Sequence, residues 1–152
     1  KMTDEEHSVT ARGYNLPISR KFSVEVANFI RYKPLTKAKT MIVGVIAKKV
    51  AVPIRIYNRD QAHKKGKIAA GKYPVKIAEN VLMLLNSAEM NAVNKGLDTD
   101  SLFIKNIIVN KGSSSAKAGR IRGRVNKRTH IEITLEEKKK RVVKKKEVKK
   151  KW

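Results

Sequence analysis

The chain has 152 residues, with 36 Lys and Arg against 13 Asp and Glu, a net charge of +23 and 41% hydrophobic residues. That length and apolar content suit one domain with a modest core, and the absence of cysteine removes disulfides, cysteine zinc sites and thiol catalysis together. So large a charge repels itself unless a polyanion neutralises it, so an anionic macromolecular partner is expected.

In chain order, residues 1–8 read as a loose N-terminal tail. Its opening, Lys1-Met-Thr-Asp-Glu-Glu, is acidic and lacks an apolar stretch, so no signal peptide and a cytoplasmic location are expected. Residues 9–18 read as extended, because Leu16 and Ile18 alternate around Pro17, which is barred from a helix interior. Ser19 is placed to cap a helix through its hydroxyl. Phe22, Val26, Phe29 and Ile30 then form one apolar stripe that ends near Pro34. A second helix is predicted over 35–50, with Ala38, Met41, Ile42, Val45 and Ile46 inward and Lys37, Lys39, Lys48 and Lys49 in water. Its run at 41–47 is the longest apolar stretch and falls far short of the roughly 20 residues that span a bilayer, so no membrane anchor is expected.

Residues 52–57 lead into a basic loop at 58–72. Pro74 opens the longest helix at its tolerated first position, with Val75, Ala78, Val81, Leu82, Leu85, Ala88 and Ala92 inward and Gly96 as its stop. After a turn at 97–102, residues 103–109 and 129–135 read as two strands of an antiparallel hairpin. In the second, Ile131, Ile133 and Leu135 alternate with His130, Glu132 and Thr134, so one face is buried. The fold class is therefore α+β. Three helices pack on a small antiparallel sheet, and residues 9–135 make a single domain that includes a long basic hairpin arm at 111–128. Residues 136–152 form a Lys-rich C-terminal tail with ten cations and three acids.

The arm is the most informative segment. No acid occurs between Asp100 and Glu132, and the arm gathers Lys111, Lys117, Arg120, Arg122, Arg124, Lys127 and Arg128 with Gly112, Gly119, Gly123 and a serine run. Alternation would send Arg120, Arg122 and Arg124 to one side of an extended strand, where planar guanidinium forks bridge phosphates or stack on bases. Legs of about ten residues at about 3.3 Å each would reach roughly 30 Å from the body. With so little to bury, the arm and tail are expected to order only on a partner. Eight aromatics in all (three Phe, four Tyr, one Trp) argue against a sheet that stacks bases, so recognition by shape and phosphate contact is expected.

Other motifs weigh less. Gly66-Lys-Ile-Ala-Ala-Gly71-Lys72 matches the first seven positions of a nucleotide-binding loop, but Tyr73 stands where a magnesium-holding Ser or Thr belongs, and Pro74 removes an amide. A basic loop touching RNA phosphates fits better. His7, His63 and His130 lie far apart without a carboxylate at ligand spacing, so no metal and no cofactor is expected. Ser113, Ser114 and Ser115 lack a His–acid pair, and no general acid/base constellation is present, so an enzyme is not expected.

Three blocks together look like a known family. Ile18-Ser-Arg-Lys21 with Val26-Ala27, Ile30-Arg31 and Pro34-Leu35 makes the first block, and Asn86-Ser-Ala-Glu-Met-Asn-Ala92 with Gly96-Leu-Asp98 and Ile107-Ile-Val-Asn-Lys-Gly112 the second. The third is Ala118-Gly-Arg120, Gly123-Arg124 and Lys127-Arg-Thr-His-Ile-Glu-Ile133. In this order they resemble the large-subunit ribosomal protein family called L twenty-two in bacteria and L seventeen in eukaryotes, over residues 9–137. Pro53-Ile-Arg-Ile-Tyr-Asn58 with His63-Lys-Lys-Gly66 and Gly71-Lys-Tyr-Pro-Val-Lys76 is similar to an insertion of archaeal and eukaryotic members that bacterial ones lack. The chain departs from the family at Ser113-Ser-Ser-Ala116, where members more often carry basic or bulky residues, and in its Lys-rich tail.

The resemblance implies a non-enzymatic constituent of the large subunit that binds large-subunit rRNA and supports its assembly. It implies neighbouring ribosomal proteins near the tunnel exit as partners, and an arm that lines the nascent-peptide tunnel and meets the nascent peptide. The residues expected to contact RNA are Arg12, Arg20 and Lys21 on the body and Arg55, Arg59, His63, Lys64, Lys65, Lys67 and Lys72 in the loop. The arm's seven cations and His130 complete the set. The tunnel tip is expected at Ser113, Ser114, Ser115, Ala116, Lys117, Ala118 and Gly119. The competing reading is a free-standing nucleic-acid compactor or RNA chaperone that works by charge alone, which has no need of a basic insertion of this design between strands.

Overall fold

A computed structural model of the protein describes residues 7–121 and 123–137. Three long strands, β1 (Ser8–Leu16), β4 (Leu102–Lys111) and β7 (Thr129–Glu137), form an antiparallel sheet in the order β1-β7-β4. Helices α1 (Arg20–Ile30), α2 (Leu35–Ile46) and α3 (Val75–Asn94) cover one face. Two short pairs complete the fold: β2 (Val52–Pro53) with β3 (Gly71–Lys72), and β5 (Ser115–Ala116) with β6 (Val125–Asn126). The expected α+β architecture of three helices on a small antiparallel sheet is what forms.

The core explains the layering. Ile131, Ile133 and Leu135 of the central strand are buried with Ile104 and Ile107 of β4 and Val9 and Ala11 of β1, on the face that α1 and α3 cover. Helix α1 contributes Val26, Ala27 and Ile30, and α3 contributes Ile77, Ala78, Val81, Leu84, Leu85, Ala88 and Ala92. Leu35, Ala38, Ile42 and Val45 of α2 close the core. Phe22, Phe29, Ile46 and Leu82 pack against it without full burial.

Several boundaries and contacts differ from expectation. Helix α2 stops at Ile46 instead of running to 50, because Lys48 adopts a left-handed conformation (φ 57°) and the amides of Lys49 and Val50 both turn back onto the Gly44 carbonyl. Lys39 is not simply in water: it pairs with Glu89 of α3 at 2.5 Å. Pro74 stands one residue before α3, and Val75 is only half-buried, while Ile77 and Leu84 take inward positions that the periodicity had not assigned. Ser19 is the residue before α1, yet its hydroxyl caps nothing. Its carbonyl accepts from the Ser23 amide and hydroxyl instead, and Ser23 is buried.

The outer edges of the sheet are closed by side chains and by a turn, which limits pairing with other strands. On the β4 side, the Tyr32 amide donates to the Ile104 carbonyl, the Ile104 amide to the Lys33 carbonyl, and the Arg31 guanidinium to the Ile107 carbonyl at 2.7 Å. On the β1 side, Asn91 of α3 and Lys95 just after it donate to the carbonyls of Thr10 and Ser8. The Lys33 amine bonds to the Phe29 carbonyl and lies 4.7 Å from the Phe29 ring centre, and burial, followed by the nearby Lys37, lowers its pKa. This cation serves the fold.

Candidate nucleic-acid interface

The hairpin between β4 and β7 starts from a tight base. The Gly112 amide bonds to the Arg128 carbonyl, and a β-carbon at 112 would stand 3.0 Å from both the Asn15 Oδ1 and the Arg128 Cβ. A side chain there would need Asn15 and Arg128 to give way by a few tenths of an ångström, so glycine suits this close approach. Asn15 itself sits in a β1 bulge at φ 51°, donates its amide to His130 Nδ1 (3.1 Å), and accepts from Arg128 through its carbonyl (3.2 Å). The bulge therefore grips the root of the hairpin from the neighbouring strand.

Beyond the root the ladder runs further than a segment with so little to bury suggests. Ser115 pairs with Asn126 and Ala116 with Val125, and the Lys117 amide bonds to the Arg124 carbonyl. Past that bond the backbone turns, with Gly119 at φ 136° and Gly123 at φ 86°. Arg120 and Arg124 therefore do not alternate along one extended strand: β5 ends before Arg120, β6 begins after Arg124, and the left-handed Gly123 between them breaks the two-residue period. Arg122 lies outside the described residues, as do 138–152 of the tail and 1–6 at the N-terminus. Ser115 Oγ accepts from the Asn126 side-chain amide at 3.3 Å.

The structure brings many of the expected cations together. One groove, between the hairpin root and the start of α1, is lined by Arg20, Lys21, Lys111, Lys127 and Arg128, with Ser19 and Ser114 beside them. Lys117, Lys127, Arg128 and Lys76 line an adjoining groove along Pro17 and Ile18. Among the described residues, no acid lines either groove. None of these cations is in an ion pair among the described residues, where the pairs are His7–Glu137, Arg12–Glu132, Lys39–Glu89 and Lys105–Glu136. A row of unpaired cations along a groove suits a phosphate backbone.

The loop supplies a second wall. Glu25, a buried α1 residue that sequence reasoning passed over, accepts from the amides of Arg55 (3.2 Å), Ile56 (2.8 Å) and Tyr57 (3.2 Å). This carboxylate pins the start of the loop against α1. Arg20 donates to the Tyr57 hydroxyl, Lys21 lies 5.5 Å from the Tyr57 ring centre, and Lys72 lies 4.5 Å from that of Phe22. Arg55, Arg59, His63, Lys65, Lys67 and Lys72 are exposed, and Lys64 is half-buried over Tyr73. The nucleotide-loop motif does not form a phosphate cradle. Gly71 and Lys72 are a strand, and the Gly71 amide is taken by the Ala62 carbonyl.

Two expected contact residues are already occupied. Arg12 bonds Glu132 at 3.0 Å, which raises its pKa, and it lies on the sheet's outer face. His130 accepts from Asn15 and meets Tyr14 edge-on, ring centres 5.6 Å apart.

The architecture is thus that of a small α+β domain with a cation-lined hairpin root and a pinned basic loop. The family model described as ribosomal protein L22p/L17e matches residues 11–136, and the chain belongs to that family. It is 44% identical over 133 residues to the large ribosomal subunit protein uL22 of Nanoarchaeum equitans, covering 83% of this chain and 76% of that one. It is 43% identical over 109 residues to the protein of the same name from Methanoculleus marisnigri (70% and 71% covered). The Staphylothermus marinus protein of that name is 35% identical over 147 residues, with 90% and 94% covered. The chain is an archaeal-type member.

Proposed function

We propose that this chain is a non-enzymatic structural constituent of the large ribosomal subunit, working in the cytoplasm as part of the ribosome. Its body, loop and hairpin bind large-subunit rRNA and support folding of that RNA during assembly. The observation that carries the reading is the groove of Arg20, Lys21, Lys111, Lys127 and Arg128, five cations from three separate stretches of chain with no acid among them. Family membership supplies the context: relatives that align over most of their length are named as large-subunit proteins. The hairpin at 111–128 then extends along the wall of the nascent-peptide tunnel, and the body sits near the tunnel exit beside neighbouring ribosomal proteins.

Anchoring and tunnel lining are separable in this reading, because the groove lies at the hairpin root and not at its tip. Deleting residues 113–124 should leave the chain on large subunits through a high-salt wash, while chemical probing shows a changed tunnel wall. Loss of the truncated chain from subunits would make the tip the anchor. A full-length chain that washes off subunits and coats unrelated RNA equally would identify a compactor that works by charge alone.

A further inference from the structure

The segment that Glu25 pins carries an exposed Ile56, 60% accessible, on backbone held by a buried carboxylate through three amide bonds. A large aliphatic side chain displayed on rigid backbone gains nothing for the fold. Ile56 lines a groove with Phe22 and Tyr57, so the groove has an apolar side. Its other side is polar. The chain turns back at 58–61 through a bond from the Gln61 amide to the Asn58 carbonyl, with Asp60 left-handed at φ 56°. The side chains of Asn58 and Asp60 make no hydrogen bond within the described residues. Lys21 and Arg59 also line the groove, and Lys21 is shared with the groove at the hairpin root.

We propose that this groove holds one unstacked nucleotide of the bound RNA. The inference rests on the RNA-binding reading above and adds a contact that charge alone does not provide. A nucleobase has a flat apolar face, a hydrogen-bonding edge and phosphates on either side. Ile56, Phe22 and Tyr57 meet the face, Asn58 and Asp60 meet the edge, and Lys21 and Arg59 meet the phosphates. Single-stranded and bulged RNA is read in this way. The surrounding cations favour RNA over a protein segment as occupant. Because an ionised carboxylate only accepts, Asp60 favours an edge that presents an amine, such as that of cytosine, over uracil, whose single imino donor lies between two carbonyl oxygens that repel a carboxylate.

The test uses the full chain with large-subunit rRNA and with oligo(C) and oligo(U). Ile56→Ala should weaken rRNA binding about five- to tenfold while the slope of affinity against salt stays unchanged, as for loss of an apolar base contact. Lys21→Ala should instead lower that slope by about one phosphate's worth. The wild type should prefer oligo(C) to oligo(U), and Asp60→Asn, which tolerates the left-handed backbone, should lose that preference. Ile56 is exposed, so an unchanged melting curve separates recognition from folding. Unchanged rRNA affinity in Ile56→Ala, equal binding of the two oligomers, or photocrosslinking from position 56 to protein instead of RNA in assembled subunits would overturn the inference and leave the function standing. A wild-type chain that fails to bind rRNA would overturn both.

Discussion

The outer face of the sheet and the grooves around α1 draw on the same residue types and put them to opposite use. On the sheet, the acids of β7 meet partners from neighbouring segments: Glu132 takes the Arg12 cation, Glu136 takes the Lys105 cation, and Glu137 lies 3.5 Å from the His7 imidazole just before β1. At the hairpin root, Arg20, Lys21, Lys111, Lys127 and Arg128 face one another without an acid. Their mutual repulsion has no remedy inside the described protein. Charge that is balanced locally belongs to the fold, and charge left unbalanced along a groove belongs to a partner. The comparison also locates these acids: Glu132, Glu136 and Glu137 are held at the sheet and Glu25 is buried against backbone amides, so none of the four lines the groove at the hairpin root.

The largest expected effect breaks this comparison directly. Replacing all five groove cations by Gln should reduce rRNA affinity roughly a thousandfold at 0.15 M salt and flatten the salt slope by about three to four, from five lost phosphate contacts. Replacing Arg12, Lys39 and Lys105 by Gln removes three cations that already have partners and should change affinity far less. Filter binding across a salt series measures both. Equal losses from the two sets would mean that total charge governs binding and that pairing in the fold is irrelevant to it.

Glu25 gives the next effect, on stability. Its carboxylate takes three backbone donors in a nearly inaccessible position. Glu25→Ala leaves those amides without an acceptor and should cost about 3 kcal/mol, since each buried unsatisfied donor costs about 1–3 kcal/mol and water that enters recovers part of it. Glu25→Gln keeps one oxygen as acceptor and should cost less. Denaturant unfolding measures the stability, and amide exchange should show protection lost at residues 55–57 before the rest of the domain. If exchange at 55–57 is unaltered in Glu25→Ala, the carboxylate is not what holds the loop.

The two regions differed in how far they could be read in advance. The alternation of Ile131, Ile133 and Leu135 and the apolar repeats of the helices are local patterns, and they located the sheet and its cover. The end of α2 was missed because it depends on Lys48 taking a left-handed turn, a conformation that a lysine does not advertise. Glu25 was missed for a related reason. Flanked by Val24 and Val26 in a helix, it reads as a solvent-facing acid until the amides of residues 55–57 arrive from a distant stretch. The interface shows the same limit. Its cations were legible as a class, but Arg12 and Arg20 look alike in sequence, and only strand register shows that Glu132 stands opposite one of them. Gly119 and Gly123 were visible, yet the arginine alternation drawn across them assumed an extended backbone that their positive φ values prevent.

The smallest expected effect sharpens the paired side of the comparison. Lys105 Nζ and Glu136 Oε2 lie 3.1 Å apart across the β4–β7 ladder, with the lysine side chain 45% exposed and the glutamate 23%. A pair this open to water gains little Coulomb energy and loses side-chain freedom in forming. A double-mutant cycle with Lys105→Gln and Glu136→Gln should therefore give a coupling of about 0.5 kcal/mol that shrinks in high salt. The value of the pair lies elsewhere: with Glu136 occupied, no uncompensated acid faces an approaching phosphate, and Lys105 is not offered to one. Glu136→Gln should thus free Lys105 and slightly raise the affinity for rRNA at low salt, whereas Lys105→Gln should slightly lower it by exposing the acid. If Glu136→Gln leaves rRNA affinity unchanged at low salt while the stability coupling exceeds about 1 kcal/mol, the pair is a structural clasp, and the division between balanced and unbalanced charge does not extend to this edge of the sheet.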